Sequence, residues 1–467
     1  MSTTIVWNEA RALLRDGRLW GLGLALALLL LVTGAVAHQA RQAAEQERQQ
    51  AETASRAQWD HQGDKNPHRA AHFGLYAFKP RSALAAVDPG LDAHAGQALW
   101  LEPHKRNLAM FPPASDAAPT LGLGDLDPAF VLLALLPLLI VVLGHDTVTR
   151  EHEGGTLRML QACGLRPARW VLGKWLGLCA ALVLVLVPAV GLGALLVMPD
   201  TPGAAALPLA GALLLYGAVW TALTVLVSTA CRHSRAALLV LVAIWLTTVF
   251  LVPRLAAAVV ERIAPLPTGT AFWAAVQRDI DQGLPGDGDA RQRMATFDAQ
   301  LLATHGVASL QDLPFGANAR RRLFRDAYAT RVHALHFGRL WQAQAHQQAL
   351  LRGLTALSPY AAMRAASSAL AGTGLAHRRH FEDAAEQYRQ RFTTLIDEWD
   401  LRSTRGVTSF ESRYAGDALW QSMPPWHYAP PGVGFALRAG APDLALLALW
   451  LAALLAGLAW RARRLTP

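Results

Sequence analysis

The stretch Pro128-Ala-Phe-Val-Leu-Leu-Ala-Leu-Leu-Pro137-Leu-Leu-Ile-Val-Val-Leu-Gly144 decides the fold class. It runs for 17 residues without a charge. Asp127 precedes it as a helix cap, and Pro128 occupies the first helical position, where a missing N–H costs nothing. About 20 apolar residues, each rising 1.5 Å, cross a hydrocarbon core of about 30 Å. Five further runs are of this kind: Leu19–Ala37, Trp175–Pro199, the run within Thr201–Cys231, Ala236–Pro253 and Leu444–Trp460. One charge at a helix centre costs roughly 2.5–3.5 kcal/mol on insertion, so six charge-free runs select a polytopic membrane protein. Composition agrees: of 467 residues, 53% are hydrophobic and only 16% charged, against about 25% charged in soluble domains. Disorder and collagen-like structure are excluded. The fold expected is mainly α, with six transmembrane helices.

These runs divide the chain into an N-terminal segment 1–18, span 19–37, polar segment 38–127, span 128–144, loop 145–174 and span 175–199. Spans 205–230 and 236–253 follow, then a large polar domain 254–443, span 444–460 and a C-terminal segment 461–467. The short polar pieces 1–18, 145–174, 231–235 and 461–467 hold 13 Lys/Arg against 5 Asp/Glu, and the rest of the chain holds 30 against 29. Short cytoplasmic loops are enriched in Lys and Arg, while long translocated domains escape that bias. Both termini and the 145–174 loop are therefore expected in the cytoplasm, and the two long polar segments outside it. The net charge of +9 is then topological. Nucleic acid is not needed to explain it, since a nucleic-acid protein gathers its basic residues on one face or in one run. Ala35-Val36-Ala37 resembles a leader cleavage site, but an apolar core of 19 residues exceeds the usual 7–15, and an uncleaved anchor is the reading adopted.

The segment 38–127 opens with a polar stretch, Gln39 to Ala57, that continues the first span as a helix. His72-Phe-Gly-Leu-Tyr-Ala-Phe78 has the aromatic alternation of a strand, and turn signals follow at Asp88-Pro89-Gly90. In the second segment, Ala319–Leu354 and Phe381–Leu401 read as long amphipathic helices, separated by Ser358-Pro359 and by Gly372-Thr-Gly374. Together these inserts are expected to build a mostly helical extracytoplasmic domain. His68/His72, His333/His336 and His377/His380 each set two imidazoles on one helix face. Two ligands do not complete a metal site, so solvated or packing histidines are the adopted reading and metal the alternative. Cys163, Cys179 and Cys231 form no CxxC pair and lie outside the long polar segments, so no disulfide framework is expected there.

Covalent chemistry has no visible machinery. There is no phosphate-binding G-x-x-x-x-G-K-[ST] loop, since Gly173-Lys174-Trp175 lacks the upstream glycine and the hydroxyl. His152-Glu153-Gly154 has no second histidine for a zinc protease helix, and no G-x-S-x-G elbow occurs. No charge sits in mid-span to relay protons.

The most informative polar stretch joins the second and third runs: His145-Asp-Thr-Val-Thr-Arg150-Glu-His-Glu153-Gly-Gly155-Thr-Leu157-Arg-Met-Leu160-Gln-Ala-Cys-Gly164-Leu-Arg-Pro167-Ala-Arg169-Trp-Val-Leu-Gly-Lys174. It encodes a short helix from about Thr156, read as its cap, to Cys163, with Leu157 and Leu160 on one face and Arg158 and Gln161 on another. Gly164 stops it. Arg169, Trp170 and Lys174 suit the headgroup zone. A helix tied rigidly to two spans is placed to take force from a partner; the plainer alternative is a basic loop obeying the charge bias.

The pattern Arg150-Glu-x-Glu153-x-Gly155-Thr-Leu157, followed by Gly164, Pro167-x-Arg169 and Gly173-Lys174, resembles type-2 ABC exporter permeases. The turn Ser228-Thr-x-Cys231-Arg-His-Ser234-Arg is similar to that family as well. Asn66-Pro67-His68 to Lys79-Pro80, Leu91 to Trp100, Leu357-Ser-Pro359 and Leu370-Ala-Gly372-Thr-x-Leu-x-His377 to His380-Phe381 resemble a bacterial sub-branch with large extracytoplasmic inserts after the first and fifth spans. His152 interrupts the charged run usual in the family loop. The resemblance implies a non-catalytic permease subunit of the bacterial inner membrane that binds no cofactor itself, ATP being held by separate ABC ATPase subunits. It implies that Glu151, Glu153, Gly155, Thr156, Leu157 and Leu160 form the coupling helix that contacts the ATPase. A second permease copy or a similar permease would complete a dimer in the bilayer. Three functions stay open on this reading: export of a substrate, ATPase-driven mechanical transduction to an extracytoplasmic partner, and an ATPase-independent receptor or scaffold. Nothing in the runs selects a substrate.

Overall fold

In the computed structural model, residues 2–110, 127–197, 203–407 and 414–464 are described. Each apolar run lies in a helix long enough to span: Gly17–Asp60, Pro128–Glu153, Pro167–Pro188, Gly203–Ala230, Ser234–Ile263 and Val433–Ala462. The third helix continues past Pro188 to Val197. The expected limits of the third span at 198–199, the stretch 111–126 of the first polar segment and 465–467 fall outside the described residues. Leu133, Ile140, Leu178, Trp220, Leu241 and Leu447, drawn from the second to the sixth span, pack in one core and are all but fully buried. Leu24, Leu28, Val32, Leu184, Leu239 and Leu449 face outward, as a bilayer requires.

Prolines shape two spans. Val131–Leu135, just before Pro137, and Thr247–Leu251, just before Pro253, are π-helical turns. A proline ring clashes with the carbonyl four residues back and offers it no N–H, so widening the turn relieves both strains. The carbonyl four residues before Pro137 is that of Leu133, and the Tyr216 hydroxyl donates to it at 2.7 Å. Trp245 Nε1 donates to the Ala134 carbonyl at 2.8 Å, and Ser358 Oγ to the Thr248 carbonyl at 2.6 Å. Neighbouring helices thus satisfy backbone groups that lipid cannot. The Asp127 cap forms as expected, its carboxylate accepting from Phe130 N at 2.6 Å.

An N-terminal helix, Ser2–Arg15, precedes the first span and lies against the third. Gly173 and Gly177 make room for it: a Cβ on Gly173 would stand 2.6 Å from Ile5, and one on Gly177 2.5 Å from Glu9 Cβ. Small residues one turn apart let helices approach this closely.

The first span runs unbroken from Gly17 to Asp60, 44 residues, and carries Trp59 into the polar domain. Trp59 is 0% exposed, sits 4.7 Å from the Phe392 ring and donates to the Trp420 carbonyl at 2.9 Å. Strands Leu75–Phe78 and Ala98–Leu101 pair antiparallel, the first starting three residues later than the alternation suggests because His72 and Phe73 belong to helix Pro67–Phe73. The second insert supplies helices Ala317–Leu354, Pro359–Leu370 and Leu375–Ser403. Arg106–Asp383 at 2.9 Å, Arg364–Asp88 at 3.0 Å and the bridge Lys65–Ala415 join the two inserts into one domain. Two helices root that domain in the bundle: Met363 of Pro359–Leu370 joins the hydrophobic core of the spans, and Arg352 of Ala317–Leu354 grips Asp443 of the sixth helix at 2.7 and 3.0 Å.

Candidate functional site

The loop between the second and third spans is built from glycine outward. Gly155 and Gly164 adopt φ of +69° and +75°, which a side chain resists by roughly 1–2 kcal/mol. Between these reversals lies helix Thr156–Ala162. Its end is a Schellman turn, with Leu165 N donating to the Leu160 carbonyl at 3.2 Å. A preceding turn of helix, Thr149–Glu153, joins it to the second span.

Three braces lock this loop to the bundle. In the first, Lys174 Nζ donates to Glu9 Oε2 at 2.6 Å and to Glu151 Oε1 at 3.0 Å. Lys174 and Glu9 are each 5% exposed, so one buried cation ties the N-terminal helix, the loop and the third span. The other Glu151 oxygen accepts from the Thr156 hydroxyl, which also donates to the Glu151 carbonyl at 3.3 Å. Thr156, read as a cap, therefore faces back onto the preceding turn, because the reversal at Gly155 points it there. In the second brace, Glu153 accepts from Ser234 N at 2.9 Å and Ser234 Oγ at 2.8 Å, a carboxylate seated on the N-terminus of the fifth-span helix. In the third, Ser228 Oγ accepts from Val148 N at 3.0 Å and Thr149 N at 3.3 Å, and the Thr149 and Ser234 hydroxyls lie 2.9 Å apart. Arg18, paired with Asp16 at 2.6 Å, reaches Asp146 at 3.3 Å and adds the first span to the assembly.

The six residues singled out in the sequence therefore occupy different positions. Glu151 and Glu153 hold the loop in place, Thr156 is half-buried and Gly155 is exposed. Leu157 is 3% exposed in the hydrophobic core of the bundle, with Leu160 half-buried against it. Among the residues whose burial is described, Glu153, Gly154, Gly155, Arg158, Met159, Ala162 and Cys163 are exposed on the outward side, with Met159 61% exposed. Trp170 is buried and Lys174 paired, so these two turn inward rather than to the headgroup zone expected of them; the N-terminal helix covers that side. Glu9 carries no local signal, and Ser228 and Ser234, though part of the turn that resembles the family, act as braces on residues at least 79 positions away.

Two of the histidine pairs serve packing in the polar domain. His336 bonds Asp279 at 2.8 Å, while His333 is buried beside Trp273. His377 and His380 pack on Phe435. Arg322–Asp397 at 3.0 Å fixes the two long helices of the domain to each other, and Arg389, paired with Glu386 of its own helix at 2.7 and 2.8 Å, donates to the Glu102 carbonyl at 3.2 Å.

Six helices long and apolar enough to cross a bilayer define a polytopic membrane protein. Residues 119–271, which hold the 145–174 loop and four of the apolar helices, match the family described as ABC-2 family transporter protein. The matched region supports a permease of the ABC-2 type, the membrane subunit of an ABC transporter. Residues 269–429 match a second family, described as Domain of unknown function (DUF3526), which covers most of the second insert. No curated protein matches the chain.

Proposed function

We propose that this permease is driven by separate ABC ATPase subunits that dock on the 145–174 loop, and that it works in export as a pair with a second permease copy. The loop and both termini then lie in the bacterial cytoplasm, and the polar domain lies on the opposite side of the inner membrane. Catalysis and ATP belong to the partner. The bracing of the loop carries this reading. A helix that must pass on a push has to be stiff, and the segment Val148–Glu153 that leads into Thr156–Ala162 is fastened to the N-terminal helix and to the third, fourth and fifth spans by charged and hydroxyl groups. In this reading the ATPase meets Glu153, Gly155, Arg158, Met159 and Ala162, while Glu151, Thr156, Leu157 and Leu160 transmit the load from beneath.

Purification from its native membranes through a tag on this chain tests the idea. An ATPase is expected to co-elute with wild type and to be retained roughly tenfold less by Arg158→Glu/Met159→Asp, since outward charge reversal disturbs docking and leaves the braces intact. Absence of an ATPase with wild type, or undiminished retention by the double variant, would sink the reading.

One observation favours mechanical transduction as the second reading. The first span is a single helix of 44 residues from the loop side of the bundle to the buried Trp59, so motion at its base is delivered to the polar domain. Replacing Gln49-Gln50 by Gly-Pro breaks that helix. Under transduction, ATP-dependent changes in protease sensitivity of the polar domain disappear in this variant; under export alone, they persist.

A further inference from the structure

We propose that His68, His72 and His104 form a binding site for a divalent transition-metal ion of the zinc class on the polar domain, with Asp326 orienting His104. This inference does not rest on the ATPase reading. Helix Pro67–Phe73, capped by Asn66, places His68 and His72 one turn apart on one face. His104 arrives from the turn after strand Ala98–Leu101 and, among the described residues, is the only non-glycine with left-handed φ, +65°. That conformation brings its Nε2 to 3.3 Å from His68 Nε2, and His72 Nε2 also stands 3.3 Å from His68 Nε2. All three ligand atoms lie within 4.8 Å of one another.

The spacing has a chemical meaning. A tetrahedral ion held at about 2.0–2.1 Å by imidazole nitrogens sets neighbouring nitrogens about 3.3–3.4 Å apart. Two of the separations already match. Asp326, on helix Ala317–Leu354, meets His104 Nδ1 at 2.5 Å. A carboxylate there holds the proton on Nδ1 and leaves the Nε2 lone pair for a metal, as in carboxylate–histidine–zinc arrangements. Three neutral imidazoles select borderline ions such as zinc, cobalt or nickel over magnesium and calcium, which require oxygen ligands. His72 is exposed, so the fourth position opens to solvent, where an exchangeable ligand fits. Arg322 and Arg325 lie near and oppose positive charge at the site, and Asp397 and Asp400, paired with Arg322, offset part of that repulsion. The histidines belong to the first insert and Asp326 to the second, so a bound ion also pins one insert to the other.

The test uses the full-length protein in detergent, stripped with a chelator and titrated with Zn²⁺ against a chromophoric competitor. One equivalent is expected to bind wild type. His72→Gln and His104→Gln should each weaken binding about 100-fold or more, and Asp326→Asn about 10–100-fold. The exposed His61→Gln should leave it unchanged. Co²⁺ in place of Zn²⁺ should give the intense visible bands of tetrahedral coordination, lost in His72→Gln. His72 is a surface residue, so its variant reports on ligation and not on folding. No stoichiometric binding by wild type, equal binding by both histidine variants, or equal competition by Ca²⁺ would each overturn the proposal.

Discussion

Lys174 is the residue on which the loop depends most. It sits at the end of Gly173-Lys174, where a headgroup contact is the natural expectation, and it is buried between two carboxylates instead. Removing one partner of a buried ion pair leaves a charge that neither water nor protein satisfies, at a cost of about 3–5 kcal/mol. Lys174→Met is therefore expected to lower the melting temperature in detergent and to free the N-terminal helix, because Glu9 is stranded at 5% exposure. Adding Glu9→Leu should restore part of the loss, since paired apolar replacements are often close to neutral. A melting curve for Lys174→Met that overlays wild type would contradict the buried-brace account. Glu153, 41% exposed, contributes through geometry more than charge, by holding the start of the fifth-span helix.

Among the elements, the N-terminal helix Ser2–Arg15 shows best how packing overrides appearance. Its residues look like a short basic leader, yet Ala10 and Leu13 are buried and Ile5 and Glu9 fill the hollows over Gly173 and Gly177. Gly177→Leu should lift it off, since overpacking a tight contact costs typically 1–3 kcal/mol. Trypsin should then cut at Arg11 and Arg15 roughly tenfold faster than in wild type, whereas Gly217→Leu, where a Cβ meets nothing within 4 Å, serves as the control. Equal cleavage of Gly177→Leu and wild type would mean that the helix is not seated on those glycines. The proline-adjacent π turns follow the same logic: Pro137 is visible in the sequence, but the Tyr216 hydroxyl that rescues the Leu133 carbonyl comes from another span.

At the scale of the whole molecule, the polar domain is held by buried charge and ring packing, so its stability should depend on pH. Burial, then the nearby positive charge of Arg389, lowers the pKa of His333 to about 4. Burial, then Lys79, lowers that of His377 to about 4. In the unfolded chain both titrate near 6.5. Between those values the unfolded state binds protons that the native state does not, so stability is full above pH 6.5 and is lost as pH falls toward 4. Asp397, pushed up to about 6 by burial against the pull of Arg322, acts with the opposite sign. The difference between wild type and His333→Gln isolates the histidine: the melting temperature of wild type should fall more steeply between pH 7.5 and 5 than that of the variant. Parallel slopes would show that His333 is not held neutral by the fold.

Much of this architecture is legible in the sequence because a bilayer imposes a single-variable rule. Each helix must be apolar for about 20 residues, so six spans, the Asp127–Pro128 start and the helical continuation through Gln39–Ala57 are local properties that can be read residue by residue. The Gly155 and Gly164 reversals are local in the same way, since only the backbone at those positions decides them. What the sequence by itself determined is therefore the bundle and the boundaries of the loop helix. Only the tertiary structure decided which side of that helix faces out, that Glu151 and Glu153 brace it, and that His104 joins His68 and His72. Those outcomes depend on partners tens to hundreds of residues away, brought into contact by burial of the whole chain, and short-range spacing carries no record of them.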